Sequence, residues 1–330
     1  MTDKRRLSIS VVIPCRADEP GLDPMLDSLL AACRSSRLPS GCVREIVICI
    51  NGAGPDQPGA PLRAVRNFCT RANIALQEFS LSAADVCPPQ ERQLKAEGVS
   101  CVVLLASWRG KPKAMNALWQ WAQGEALLFC DADVRLESEA VSHLYARLQP
   151  EPSLQLVAAR EVPTLEEGAS LWSRMGALPY RFNFGNVGGR LFLIRRGAFT
   201  SPMPEDLLLE DAWLTVAVGK QYVFKEMRAR VFFVLPQTWR DYFAERVRME
   251  GGKIQIRRQH YGLLAQGPIA AYPWSQFLGQ IHVREYGLVV LVLGIRCVAR
   301  LWAWALLRRT NFYALYRPFR STKSWSSSAQ

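Results

Sequence analysis

Histidine is scarce in this chain. Its 330 residues include three, His143, His260 and His282, and their spacing matches no metal-ligand pattern, which argues against a His-based metal centre or a Ser-His-Asp triad. Paired cysteines are missing too. The nine Cys are odd in number, none forms a C-x-x-C pair, and several lie inside apolar runs such as Val47-Ile48-Cys49-Ile50 and Leu128-Phe129-Cys130. They read as small buried thiols in a reducing compartment, not as a disulfide framework or zinc site. No signal-peptide core is visible: the apolar run after Lys4-Arg5-Arg6 is short and ends at Pro14, so a buried strand and a cytoplasmic protein are expected. No internal repeat occurs, and low complexity is confined to the polar tail 321–330. Hydrophobic residues at 49% and charged residues at 21% exclude a disordered chain and a polytopic membrane protein.

Acidic residues are what the C-terminal third lacks. Residues 1–210 hold 23 basic and 23 acidic side chains, whereas 211–330 hold 18 and 6, so the whole excess of +12 sits in the last third. A basic region of this kind points to nucleic acid, anionic lipid or a phosphorylated substrate.

The rest of the chain alternates strand and helix patterns. Residues 8–13 form a β-branched run closed by Pro14, and 45–50, 74–79, 99–106 and 125–130 read as further strands. Helical spacing runs over 22–34, 61–72, 112–123 and 138–148. This order predicts an α/β fold with a largely parallel sheet covered on both faces, and ligands in such sheets bind at the C-terminal strand ends.

The segment with most chemistry runs from Arg109-Gly110-Lys111-Pro112-Lys113-Ala114-Met115-Asn116-Ala117 to Gly124-Glu125 and then the strand ending Cys130-Asp131-Ala132-Asp133. In an extended segment residues i and i+2 point the same way, so Asp131 and Asp133 can face one hard cation. Mg²⁺ or Mn²⁺ held by one or two carboxylates plus phosphate oxygens is the usual arrangement. Lys111 and Lys113 open a helix whose N-terminus favours the same phosphates. Pro112 stands where a Walker A loop requires Ser or Thr. The plain structural reading of Asp-x-Asp after a strand is a turn or a helix N-cap; the Gly-Lys helix at this distance upstream favours the chemical one.

At these residues the sequence resembles the family 2 glycosyltransferases, whose pattern is Gly-Lys-x-x-Ala-x-Asn, a helix, Gly-Glu, and a strand ending in Asp-x-Asp. Gly110, Lys111, Ala114, Asn116, Gly124, Glu125, Asp131 and Asp133 match it in turn. The resemblance implies a GT-A nucleotide-sugar-binding fold, with Asp131 and Asp133 holding Mn²⁺ or Mg²⁺ and with Gly110, Lys111, Asn116 and Asp131 on the donor. The opening strand also looks like the family's, which implies nucleotide contacts at Pro14, Arg16 and Glu19. One departure is Asn51, which stands where the family carries a base-holding Asp; an amide can hydrogen-bond a base edge as well, but a preference for uridine no longer follows.

Downstream, the family has a Glu-Asp opening a helix that ends in Gly, its Asp being the catalytic base. Glu210-Asp211, followed by 212–218 and Gly219, fits best; Glu205-Asp206 is the competing pair. A carboxylate suits the task, since it takes the acceptor's proton during attack on the anomeric carbon; helix-dipole stabilisation is the structural alternative. Gly188-Gly189 resembles an acceptor-side glycine segment, with a hairpin turn as the plain reading. Arg246 and Arg248 lie where processive members carry Gln-x-x-Arg-Trp. Arg248 matches the Arg, but Glu245 and Met249 replace Gln and Trp, which argues for a single transfer. The two arginines contact the diphosphate leaving group or form a solvated basic face.

Residues 286–307 are long and apolar enough to span a bilayer, yet carry Arg296 and Arg300 near the middle. Those two cost roughly 5–7 kcal/mol on the insertion scale, against roughly 3–7 kcal/mol gained from the Leu, Ile and Val residues. Arg296, Arg300 and Arg308 share a face, and Trp302 and Trp304 flank it, so an interfacial amphipathic helix is expected. A polybasic, aromatic tail follows (Arg309, Phe312, Tyr313, Tyr316, Arg317, Phe319, Arg320, Lys323), with no nucleic-acid recognition motif beside it. Nucleic acid is therefore not an expected partner.

The expectation is thus a GT-A domain over 1–235 and a basic, membrane-associated helical region over 236–330. The enzyme would be inverting, cytoplasmic and peripheral on the inner membrane face. It would move a sugar from a nucleoside-diphosphate sugar to an acceptor hydroxyl or phosphate, with a membrane lipid carrier as first hypothesis and an anionic membrane surface as partner. Two competing readings are a nucleotidyltransferase, which would need a basic loop early in the chain where 14–21 holds only Arg16, and a non-catalytic membrane-binding module with a transferase-like core.

Overall fold

Five apolar runs become strands close to where the sequence predicts them: β1 (Ile9–Arg16), β2 (Val43–Asn51), β3 (Ala75–Leu81), β4 (Ser100–Ala106) and β5 (Ala126–Cys130). The computed structural model describes residues 6–52, 59–82, 98–181, 187–198, 201–259, 279 and 281–308; the polybasic, aromatic tail beyond 308 lies outside them. Every residue of β5 is buried, as a strand covered on both faces requires. Four more strands follow, β6 (Val134–Leu136), β7 (Leu156–Thr164), β8 (Leu191–Arg195) and β9 (Val223–Val234). All nine form one sheet in the order β3-β4-β2-β1-β5-β8-β7-β9-β6.

Pairing is parallel from β3 to β5 across β4, β2 and β1, then antiparallel from β5 to β8 and from β8 to β7. Helices α1 (Leu22–Cys33), α2 (Ala60–Ala72), α3 (Lys111–Trp121) and α4 (Ala140–Leu148) connect the strands. The chain leaves β1 toward β2 on one side and later returns as β5 on the other. The gap between β1 and β5 is therefore the switch point of the topology, where the loops diverge and leave a crevice.

β1 does not stop at Pro14: Pro14 pairs with Cys49 and the strand continues to Arg16. Pairing with β5 covers only Ile9 to Val12, so the missing N–H of Pro14 falls where β1 has parted from that neighbour. The motif residues Gly124 and Glu125 fasten β5 to the start of β1. The Gly124 N–H donates to Ser10 Oγ at 2.7 Å, and Glu125 Oε2 accepts from the Ser8 N–H at 3.0 Å.

The chain folds as two compact units. One comprises Met1–Glu161, Val187–Glu205 and Gln221–Phe232; the other comprises Val162–Asn186, Asp206–Lys220 and Phe233–Gln330. The second holds α5 (Leu171–Ala177), α6 (Glu210–Val218), α7 (Trp239–Gln259) and α8 (Tyr286–Leu306). Its core joins Met175, Leu178 and Tyr242 to Val289, Val292 and Ile295, and Leu208 and Val247 to Ala299 and Ala303. Each fully buried Val or Ile of this kind contributes about 1.5–3 kcal/mol. The arginine stripe expected along α8 is split. Arg296 turns inward to Glu250 of α7 at 3.5 Å, whereas Arg300 is exposed.

Candidate functional site

The parallel strands end side by side. Register places Arg16 of β1 opposite Asn51 of β2, and Asn51 opposite Ala106 of β4. The backbone holds this edge together: the Ala17 N–H donates to the Asn51 carbonyl at 3.0 Å, and the Gly52 N–H to the carbonyls of Ala106 and Trp108, both at 2.8 Å. Asn51 is buried, and its Nδ2 lies 3.5 Å from the Gly110 carbonyl. Gly110 adopts φ 126°, open to glycine alone without strain, and its carbonyl accepts the first helical bond of α3. Strand end β2 is thereby tied to the start of the Gly-Lys helix.

Lys111, the first residue of α3, places Nζ 2.7 Å from Asp131 Oδ1. The carboxylate sits just past β5, and its N–H donates to the Arg190 carbonyl at 2.9 Å. Ala132 and Asp133 form a turn between β5 and β6, so the two aspartates are presented by a turn and not by the extended strand that alternation assumes. The short β6 beginning at Val134 makes that turn necessary. On the other wall, Glu19 is buried and accepts the Gly21 N–H at 3.1 Å. A methyl added at Gly21 would lie 3.5 Å from Asp133 Cα, so the loop after β1 packs against the Asp-x-Asp turn. Arg16 is ion-paired with Asp18. Burial first, and then the neighbouring Asp131 carboxylate, hold the Cys130 thiol well above its usual range, which keeps it neutral and unreactive.

Gly188 and Gly189 precede Arg190, whose carbonyl receives the Asp131 N–H. A methyl on Gly188 would fall 2.6 Å from Glu161 Cδ, and Glu161 is ion-paired with Arg190 at 2.9 Å. The glycine is needed for close approach of a carboxylate. Asn116 is engaged by backbone: its Nδ2 donates to the Met203 carbonyl at 2.7 Å and its Oδ1 accepts the Met203 N–H at 2.9 Å. Lys113, a turn away, stands 3.6 Å from Glu205. The helix that carries Lys111 thus also anchors 203–205. Glu161 and Arg190 are the residues of this edge that sequence reasoning missed; the paired glycines beside Arg190 were the available signal.

The remaining expected residues belong to the second unit. Glu210 and Asp211 form the first turn of α6, where carboxylates are favoured by the helix dipole. Glu210 is buried, Asp211 is partly exposed, and Asp211 Oδ1 accepts the Ala212 N–H at 2.8 Å. The rival Asp206 has its carboxylate 3.2 Å from Gln255 Nε2, and Gln255 is fully buried. Arg246 is buried in α7, 2.8 Å from Glu245 and over the Tyr242 ring. Burial alone would lower its pKa, but the Glu245 and Tyr242 charges hold it above the ordinary value. Arg248 on the same helix is partly exposed.

Residues 90–200 match glycosyl transferase family 2, across the Gly-Lys helix, the Asp-x-Asp turn and the glycine pair. No curated protein matches the chain by sequence. Among solved structures, the mannosyltransferase PcManGT from Pyrobaculum calidifontis, in complex with GDP-Man and Mn²⁺, aligns over 97% of this chain and 84% of its own, at 17% identity and a TM-score of 0.54. Residues 1–349 of S. aureus TarS align over 89% and 81% at 15% identity and a TM-score of 0.46. Glucosyl-3-phosphoglycerate synthase from Mycobacterium tuberculosis aligns over 66% and 68% at 16% identity and a TM-score of 0.40. The first of these likenesses carries the fold. With the family match lying on the switch-point edge, the chain has a fold of the GT-A type whose residues 90–200 are similar to glycosyl transferase family 2.

Proposed function

We propose that the enzyme moves a sugar from a nucleoside-diphosphate sugar to an acceptor hydroxyl or phosphate by one inverting displacement. The observation that carries this reading is the meeting, at one sheet edge, of the loop after β1, Asn51, the Gly110-Lys111 helix start and the Asp131–Asp133 turn. Pro14, Arg16 and Glu19 belong to the nucleotide side of this edge, and Asn51 supplies an amide for a base edge. Lys111 and the N-terminus of α3, where Gly110 supplies no capping side chain, suit a diphosphate.

The residues fit a divalent ion. Among the described residues, no three His, Cys, Asp or Glu side chains group to hold one alone, so Asp131 and Asp133 match an ion that completes its shell with phosphate oxygens. The Asp131 carboxylate already accepts a cation, in Lys111. Asp131 and Asp133 would hold Mn²⁺ or Mg²⁺ there, which would supply charge neutralisation for the departing diphosphate. Asp211 takes the acceptor's proton, beside Glu210 in the same helical turn. Gly188 and Gly189 line the acceptor side, and the partly exposed Arg248 adds positive charge for the leaving group, whereas the buried Arg246 is held by Glu245 and serves the packing of its helix. The acceptor is a lipid-linked hydroxyl or phosphate, reached from the cytoplasmic membrane face, a reading supported by the basic, aromatic C-terminal third.

Donor hydrolysis and transfer across UDP-, GDP- and dTDP-sugars with Mn²⁺ test the reading, GDP-mannose first because the protein of like fold was solved with it. Turnover with one donor, abolished in Asp131→Ala and Asp211→Asn, is the expected result. Failure with every donor, or undiminished turnover in those variants, defeats it.

A further inference from the structure

Helix α8 is long and apolar enough to cross a membrane, and its packing decides what it does with that length. Its buried residues, Val289, Val292, Ile295, Ala299 and Ala303, recur every three or four positions and so form one stripe. That stripe meets α7 and its neighbours along most of the helix. α7 carries nine charged side chains in 21 residues, and Arg296 of α8 is drawn into its charge network with Glu250, which also holds Lys253 at 2.6 Å. A bilayer crossing by α8 would carry these charges into hydrocarbon or strip α8 from its partner, and either is prohibitive.

Among the described residues the opposite face has no partner and is apolar: Val290 is 68% exposed, Val298 54%, Leu301 69% and Trp302 56%. With Arg296 turned inward, the positive charge left outside is that of Arg300 and of Arg308, whose guanidinium lies over the Trp304 ring at 3.5 Å. From Tyr286 to the C-terminus the sequence has seven basic and no acidic side chains. A second copy docked two-fold on this face would bring these like charges together, whereas an anionic lipid surface complements them.

We infer that α8 lies in the plane of an anionic phospholipid surface, its Val290–Leu301–Trp302 face immersed and its Val289–Ala303 stripe kept on α7. The geometry suits an interfacial helix: an apolar face about a helix radius deep, with Trp and Arg at its margins. The inference rests on the membrane-surface part of the proposed function but needs no sugar transfer, so it stands or falls apart from the chemistry.

The test is flotation of the full chain with phosphatidylcholine vesicles, with and without phosphatidylglycerol, beside Leu301→Gln/Trp302→Gln and Arg296→Gln. Leu301 and Trp302 are exposed, so the double variant keeps its circular dichroism and thermal midpoint. The wild type should float with the anionic vesicles and be released by alkaline carbonate, and the double variant should partition about 10- to 100-fold more weakly. Three results would overturn the inference: no flotation at low salt; carbonate-resistant insertion, increased by Arg296→Gln; or a solution dimer that Leu301→Gln dissolves while lipid binding is unchanged. Donor hydrolysis by the same samples separates the outcomes. Hydrolysis without flotation removes the surface and keeps the enzyme, and flotation without hydrolysis does the reverse.

Discussion

Lys111 and Asp131 stand 2.7 Å apart at the edge of the sheet, with a fifth of each side chain exposed, while Arg246 and Glu245 stand 2.8 Å apart within the helical unit, with less than a tenth exposed. The lengths are nearly equal and the situations are not. An ion pair at a crevice can exchange one partner for a ligand at little cost, because water and substrate reach both charges. A pair closed off from water is held by its geometry, and removing one member strands the other. Open pairs therefore belong to the chemistry and closed ones to the architecture, even where the sequence presents both as a basic residue near an acidic one.

Breaking each pair should give opposite phenotypes. Lys111→Met is expected to lower kcat about 10²- to 10³-fold, as loss of one charge-stabilising donor does, with a denaturation midpoint near that of the wild type. Arg246→Met should instead cost about 3–5 kcal/mol of stability, recovered in large part when Glu245 is replaced by Leu as well; chemical denaturation measures it, and turnover per folded molecule should be retained. Loss of activity in the folded fraction of Arg246→Met would erase the distinction. At the margin of the open site, Gly188→Ala should cost about 1–3 kcal/mol through its clash with Glu161, and Glu161→Ala in the same chain should relieve it.

The smallest effect concerns pH. Burial works against the Glu250 carboxylate, but Lys253, Arg296 and Arg300 hold its pKa below the ordinary 4.5. A depressed native pKa means that the unfolded chain takes up the proton first as pH falls. The stabilisation is thus complete above the ordinary carboxylate range and is lost as pH drops through the native value. Urea midpoints measured from neutral to acidic pH should fall less steeply in Glu250→Gln than in the wild type.

Much of the sheet was legible in the sequence, because β1, β2, β4 and β5 are continuous apolar runs and α1 to α4 each keep one buried face. α7 was legible only as part of a helical region and not as an element with bounds, since its buried side includes Glu245, Arg246, Glu250 and Gln255, which break the apolar period that marks a helix. β9 escaped for a related reason: charged residues alternate along it with Ala229, Val231 and Phe233, which are buried. Within the motif the matches divided. Lys111 and Asp131 face each other, while Asn116 holds Met203 and Gly124 holds Ser10, and no spacing in the chain distinguishes the two groups.

The sequence by itself determined where the strands up to β5 lie along the chain, the place of Asp131 and Asp133 at the end of β5, and the basic excess of the last third, because local hydrophobic period and composition encode them. Only the tertiary structure decided which charges remain open. Whether Arg296 faces Glu250 or solvent, and whether Asn116 meets a ligand or a backbone, depends on partners 46 and 87 residues away in the chain. Burial, which sets the worth of a charge or an amide, is a property of the packed molecule and not of the residue that bears it.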